Sequence, residues 1–300
     1  MTADRPIIGI LCMLAFTALA PIMDASAKLA SDIHPTGQIT VARYLVQGAI
    51  VLPIALALRL SWQISRRDWG LLTLRALFTL GSTISFVSAV TVMPLADALA
   101  IVFIEPFILM FMGWIFLGEQ VGPRRIIASA VGFVGAMVVV QPGILAFGYV
   151  ALWPLAAGFF FAAYMLVTRQ LRRHPPLVIQ SATSGLALLF SVPLLFLFEG
   201  QGGIFDAVMP AGVMWIYLAG VGVIATVSHL FLTFALRFAP SATVAPLSYA
   251  EMAFATAVGF WVFGDFPEPT TWVGVTLIVG SGLYLLHREH ITARQIQAIP

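Results

Sequence analysis

The sequence predicts an all-α integral membrane protein: ten transmembrane helices arranged as two inverted five-helix repeats. Three observations carry this. First, the 300 residues are 60% hydrophobic and 9% charged, where a soluble domain carries roughly 25% charged residues. So few charges cannot solvate a surface in water, which excludes a soluble enzyme, a nucleic-acid binder and a disordered scaffold. Second, apolar runs of about 20 residues, the length that crosses a ~30 Å hydrocarbon core, recur along the whole chain. Third, the two halves match each other.

The ten runs are 7–29, 36–58, 69–91, 95–117, 124–142, 149–169, 176–198, 212–236, 241–263 and 270–287. They are continuous and about twice the length of a barrel strand, so strands are excluded. The linkers are short and hold no separate domain. With a cytoplasmic N-terminus, twelve of the fifteen Lys and Arg fall on the cytoplasmic side. They are Arg5, Arg59, Arg66, Arg67, Arg124, Arg125, Arg169, Arg172, Arg173, Arg237, Arg288 and Arg294. Arg75 sits inside the third span, and only Lys28 and Arg43 lie toward the outside. The outer loops carry Asp32, Glu199, Asp206, Asp265 and Glu268 instead. Both termini are then cytoplasmic. AlaSerAla at 25–27 has the look of a signal-peptidase site, but Asp24 interrupts the segment, and the first run reads as a retained helix. Cys12, the single cysteine, leaves no disulfide and no Cys/His metal spacing.

The repeat shows as constant offsets. At 146 residues, Trp69 pairs with Trp215, Ser82 with Ser228, Pro94 with Pro240, Glu105 with Glu251, Gly118 with Gly264, and Glu119 with Asp265. At 141 residues, Ala15 pairs with Ala156, Lys28 with Arg169, and Pro35 with Pro176. The units are a first repeat at 7–142, a second at 149–288, and a cytoplasmic tail at 289–300. Five spans per unit is an odd number, so the copies insert with opposite orientation. That construction gives a carrier two exchangeable states around a midplane site. A channel, or a purely structural duplication, fits the same count.

MDASAK at 23–28 with Arg43, MPLADALAIVFIEPFILMFMGWIFLGEQ at 93–120, and APSATVAPLSYAEMAFATAVGFWVFGD at 239–265 resemble the drug/metabolite transporter superfamily, with two EamA-type halves. The resemblance covers nearly the whole chain. It implies a secondary carrier in the bacterial inner membrane, with helices 1–4 and 6–9 around a cavity and helices 5 and 10 at the side. It is broad in substrate. The Asp24/Lys28/Arg43 pattern and SYAEMAF are similar to bacterial carriers for riboflavin or S-adenosylmethionine uptake.

Charged residues inside a bilayer are costly and usually face a cavity or a partner. Glu105 lies about ten residues into the fourth run, roughly 15 Å deep at 1.5 Å per residue, and Glu251 sits at the same depth by the repeat. The pair either binds a cationic or polar substrate group, takes up a proton, or glues neighbouring helices. Tyr249 and Ser248 lie within a turn of Glu251, and Ser228 and His229 occupy the place on helix 8 that Ser82 occupies on helix 3. Asp24, Lys28, Arg43 and Asp97 sum to zero charge and lie toward the outside. They read as an outer gate or substrate-access network, with snorkelling and helix capping as the alternative. Trp153, Phe159, Phe160, Phe161 and Tyr164 crowd helix 6 and offer ring stacking. Pro106 and Pro246 are expected to kink their helices beside the carboxylates. Ala128, Gly132 and Ala136 give helix 5 a small packing face.

No Walker loop, GxSxG or HExxH motif occurs, so no enzyme, cofactor or metal is expected. The expected activity is alternating-access transport of a small organic metabolite: a vitamin such as riboflavin, S-adenosylmethionine, or an amino-acid-like compound. Export of a metabolite or drug by the same fold is the alternative, and a channel is the third. The partners expected are substrate and membrane lipid, with proton coupling through the carboxylates and no nucleic acid.

Overall fold

The computed structural model describes residues 5–93, 95–119, 122–140 and 148–264, with isolated positions between 272 and 284. Among the described residues every regular element is helical. Six segments are long and apolar enough to cross a membrane, and the chain is a multi-pass membrane protein. They contain α1 (Pro6–Ser31), α2 (Thr36–Ala57), α3 (Arg66–Val90), α7 (Leu152–Gln170), α8 (Pro176–Leu197) and α9 (Met214–Phe238). Their starts follow local chemistry. Proline opens α1 and α8, where its missing N–H has no intrahelical acceptor in any case. The Ser65 hydroxyl accepts the Asp68 N–H at 3.2 Å to cap α3.

The fourth and ninth runs, expected as single helices over 95–117 and 241–263, are each broken. The fourth is α4 (Leu95–Val102), a turn at Phe103 and Ile104, then α5 (Glu105–Leu117). The ninth is a short turn of helix, α10 (Ser241–Val244), a 3-10 segment over Ala245–Tyr249, then α11 (Ala250–Phe263). The prolines explain both. Pro106 has no N–H for the Val102 carbonyl, and Pro246 none for that of Ala242. The freed Val102 oxygen faces Gly158, where an added Cβ would lie 2.8 Å from it. Both second pieces end on a left-handed glycine, Gly118 at φ 64° and Gly264 at φ 75°.

The expected fifth span corresponds to α6 (Pro123–Val140). Gly132 on it faces the Tyr249 ring, leaving no room for a side chain, and Ala128 is buried. The Ala136 side chain, the Pro94 position, Asp265 and Glu268, most of the run 270–287 and the tail 289–300 lie outside the described residues.

Helix α1 packs chiefly on α9, α3 on α7, and α2 on α8. In the register of the repeat, α1 corresponds to α7, α2 to α8 and α3 to α9, so the first two contacts exchange and the third maps onto itself. Close approach relies on small residues, as in other membrane bundles: Gly9 abuts Ala239, and Gly222 abuts Val46. Large apolar side chains such as Leu11, Phe116, Phe196 and Trp261 point outward, as lipid contact requires.

Candidate functional site

The broken helices bring Glu105 and Glu251 to one place. Each carboxylate lies in the first turn of a helix that restarts after a break, the end of a helix that favours a negative charge. Both line a cavity of about 80 Å³ between the two halves, together with Asp24 of α1, Arg43 of α2 and His229 of α9. None of these five is more than 8% exposed. At roughly 10–15 Å³ per water, that volume holds a handful of waters.

Arg43 joins the halves. Its guanidinium donates to His229 Nε2 at 2.8 Å and to the Thr83 hydroxyl, and lies 5.2 Å from the Tyr44 ring. The Arg43 Nε, Glu105 Oε1 and Tyr249 OH are buried without a hydrogen-bond partner. Buried polar atoms of this kind are normally satisfied; of them, those of Glu105 and Arg43 belong to residues that line the cavity. The apolar walls are Phe16, Phe86, Phe103 and Phe161. Phe16 and Phe161 stack at 6.0 Å and both set their edges or faces against His229.

The expected outer network divides. Asp24 and Arg43 face the cavity, yet no ion pair joins Asp24 to Lys28 or Arg43 among the described residues. Lys28 instead lies over the Phe263 ring at 5.4 Å. The Asp97 side chain is outside the described residues. Tyr249 and Ser228 do not line the cavity. The Tyr249 ring packs on Phe103 at 5.8 Å, and the Ser228 hydroxyl turns back to the Ala225 carbonyl at 3.3 Å. Of the helix 6 aromatics only Phe161 reaches the cavity. Phe160 packs on Gly81 and Phe78, and Tyr164 sits over Arg75.

Arg75, which the sequence reading placed inside a span without a role, is fully buried. It donates to Thr168, Thr183, Tyr164, Gln180 and Thr233, so one guanidinium ties α3 to α7, α8 and α9. Thr79 and Thr83 also escaped the sequence reading. Their signal was the three- and four-residue spacing Arg75, Thr79, Ser82, Thr83, Phe86, which puts one polar stripe on one face of α3.

The sequence profile of the EamA-like transporter family matches residues 7–141 and 148–287. The chain belongs to this family. A riboflavin transporter of Rhizobium johnstonii is 28% identical, covering 95% of this chain and 93% of its own length. A riboflavin transporter of Vibrio cholerae is 26% identical, with 97% of each chain covered. The pseudopaline exporter CntI of Pseudomonas aeruginosa is 26% identical over 90% of this chain and 93% of its own. A solved crystal structure superposes with a TM-score of 0.74 at 20% identity, covering 94% of this chain and 97% of the other, and shares the fold. The protein is therefore a transporter of small metabolites.

Proposed function

We propose that this EamA-family protein is a secondary carrier for a flat, hydrogen-bonding vitamin of the riboflavin type. It works by alternating access between two inverted five-helix halves, 7–142 and 149–288, in the bacterial inner membrane with both termini cytoplasmic. The observation that carries the reading is the convergence of Glu105 and Glu251, repeat partners on two broken helices, upon one cavity with Arg43 and His229. Discontinuous helices meeting at mid-depth are how secondary transporters build a substrate site. The exchange pattern of helix contacts supports the inverted repeat. The distribution of Lys and Arg, twelve of fifteen on one side and only two toward the other, supports the orientation.

In this reading the phenylalanine walls stack on a planar ring, and Arg43 donates to its carbonyl or ring-nitrogen acceptors. Glu105 and Glu251 accept from its N–H or hydroxyl groups. Three carboxylates and one guanidinium share the cavity, a formal excess of two negative charges that bound protons or a cationic substrate group offset. This is the basis for proton coupling. Asp24 and Arg43 form the outer rim. The relatives that carry riboflavin match the chain end to end, which favours the vitamin over S-adenosylmethionine or an amino acid. The exporter relative keeps outward transport as a second reading of direction.

The test is uptake into proteoliposomes of labelled riboflavin, S-adenosylmethionine and amino acids, with and without a proton gradient. Saturable riboflavin uptake and counterflow are expected. Uptake of none of these compounds, or conductance without saturation, overturns the proposal.

A further inference from the structure

Toward the α2 start the central cavity is lined by Ile39 and Val87, which belong to a hydrophobic septum with Ala27, Ala30, Leu218 and Val221. Within one helical turn beyond this septum, a second pocket of about 590 Å³ opens, lined by Thr36, Ser88 and Thr91 among others. The segment between α8 and α9 roofs it. The Gly37 N–H donates to the Ile204 carbonyl at 2.6 Å, and Asp206 accepts the Gly200 and Gly202 N–H groups at 2.9 and 3.1 Å.

His34 lines this pocket, is 2% exposed, and its Nε2 has no partner. Its protonation pattern follows from its neighbours. The Gln38 amide makes two bonds to Val208: Nε2 donates to the carbonyl at 2.6 Å, and Oε1 accepts the N–H at 2.9 Å. That fixes Oε1 as an acceptor. His34 Nδ1, 3.2 Å from Oε1, is then the donor. In the neutral imidazole Nε2 is left as an unpartnered lone pair, buried on a residue that lines the pocket. Trp153 supplies an indole at the same wall, Asp32 and Asp206 supply negative charge, and no Lys or Arg is among the lining residues.

We infer that this outer vestibule is a second binding site, which takes a neutral or cationic molecule with a flat aromatic body and an O–H or N–H donor. The donor bonds to His34 Nε2, the ring lies on Trp153, and the two aspartates turn anions away. Substrate halts here before the Ile39 and Val87 septum parts. The inference deepens the proposed carrier function and rests on it for the choice of probe.

The experiment uses the full chain, with riboflavin fluorescence quenching for binding and proteoliposomes for transport. Wild type is expected to show two riboflavin sites, and His34→Phe and Trp153→Leu to weaken one of them and leave the other unchanged. Loss of one hydrogen bond is worth roughly 0.5–1.5 kcal/mol, so KM for substrate offered at the vestibule side rises about three- to ten-fold. The turnover number, and KM from the opposite side, stay within about two-fold in this scheme. A single wild-type site, or an equal rise in KM from both sides, overturns the vestibule while transport of riboflavin stands. Two sites without any transport overturn the carrier reading and leave the vestibule. Absence of both overturns both.

Discussion

The Arg43 guanidinium donates to His229 Nε2 across 2.8 Å, a bond between a helix of the first half and a helix of the second. Because Nε2 accepts, the imidazole proton sits on Nδ1, which is 3.1 Å from the Ala225 carbonyl. Each partner orients the other, and both face the central cavity. His229→Ala leaves two arginine donors short of an acceptor. Transport of the substrate is expected to fall about ten-fold or more, since a buried bond to a charged group is worth roughly 1.5–3 kcal/mol. His229→Gln offers an amide oxygen near the same place and is expected to recover part of it. Initial rates at saturating substrate with the three proteins decide this, with reconstitution level as the control.

The two glutamates are predicted to separate coupling from carriage. Glu105→Gln and Glu251→Gln keep shape and remove a proton site. Proton-driven accumulation of substrate is expected to disappear in at least one variant while equal-exchange counterflow persists. If both variants keep gradient-driven accumulation with an unchanged pH profile, the carboxylates are packing residues and not coupling residues.

Much of this site was legible in the sequence because the repeat is. The offset that pairs Glu105 with Glu251 puts them at matching places in two apolar runs, and charge inside such a run is enough to nominate a candidate site. The helix breaks were half legible. Pro106 and Pro246 announce a lost hydrogen bond, but whether a helix bends or stops depends on what meets the freed carbonyl, here the close approach of Gly158. Partners were not legible. Asp24 and Lys28 sit four apart and read as a pair, yet Lys28 lies on Phe263 and Asp24 turns inward. Arg75 escaped because a lone arginine in a span resembles an interfacial one until three other helices supply its acceptors.

Glu119 binds across the halves on the side opposite the vestibule. Its carboxylate accepts the N–H groups of Ser241 and Ala242 at 3.1 and 3.0 Å, and Arg169 Nε lies 3.4 Å from it. Arg169 also donates to the Leu236 carbonyl at 3.0 Å. The arrangement holds the start of the second broken helix against the end of α5, which closes that face. Glu119→Ala is expected to loosen it by about 1–2 kcal/mol, the worth of a helix cap. In a Cys12→Ala background, an added Ala242→Cys should react with a membrane-permeant thiol reagent several-fold faster when Glu119 is also replaced. An unchanged labelling rate would show that the face is held shut by other contacts.

Arg75 is predicted to be the costliest single polar position. Its donors are taken up by three hydroxyls of threonine, one of tyrosine and one amide oxygen, on three helices, with the guanidinium 4.5 Å from the Tyr164 ring. Arg75→Met deletes the charge but strands those acceptors among buried side chains. Arg75→Lys keeps the charge but has three donors in place of a five-donor fork. Removing one member of a buried polar cluster typically costs about 3–5 kcal/mol in soluble proteins, and membrane hydrogen bonds average nearer 0.6 kcal/mol each. Five of those give about 3 kcal/mol, so the two scales agree. Thermal unfolding in detergent should fall clearly for both variants, with Arg75→Lys the milder. Thr233→Val, which removes only the longest of the five bonds at 3.2 Å, should shift unfolding far less. Equal effects from Thr233→Val and Arg75→Met would mean that the tie between α3 and α9 alone, and not the shared guanidinium, holds the four helices together.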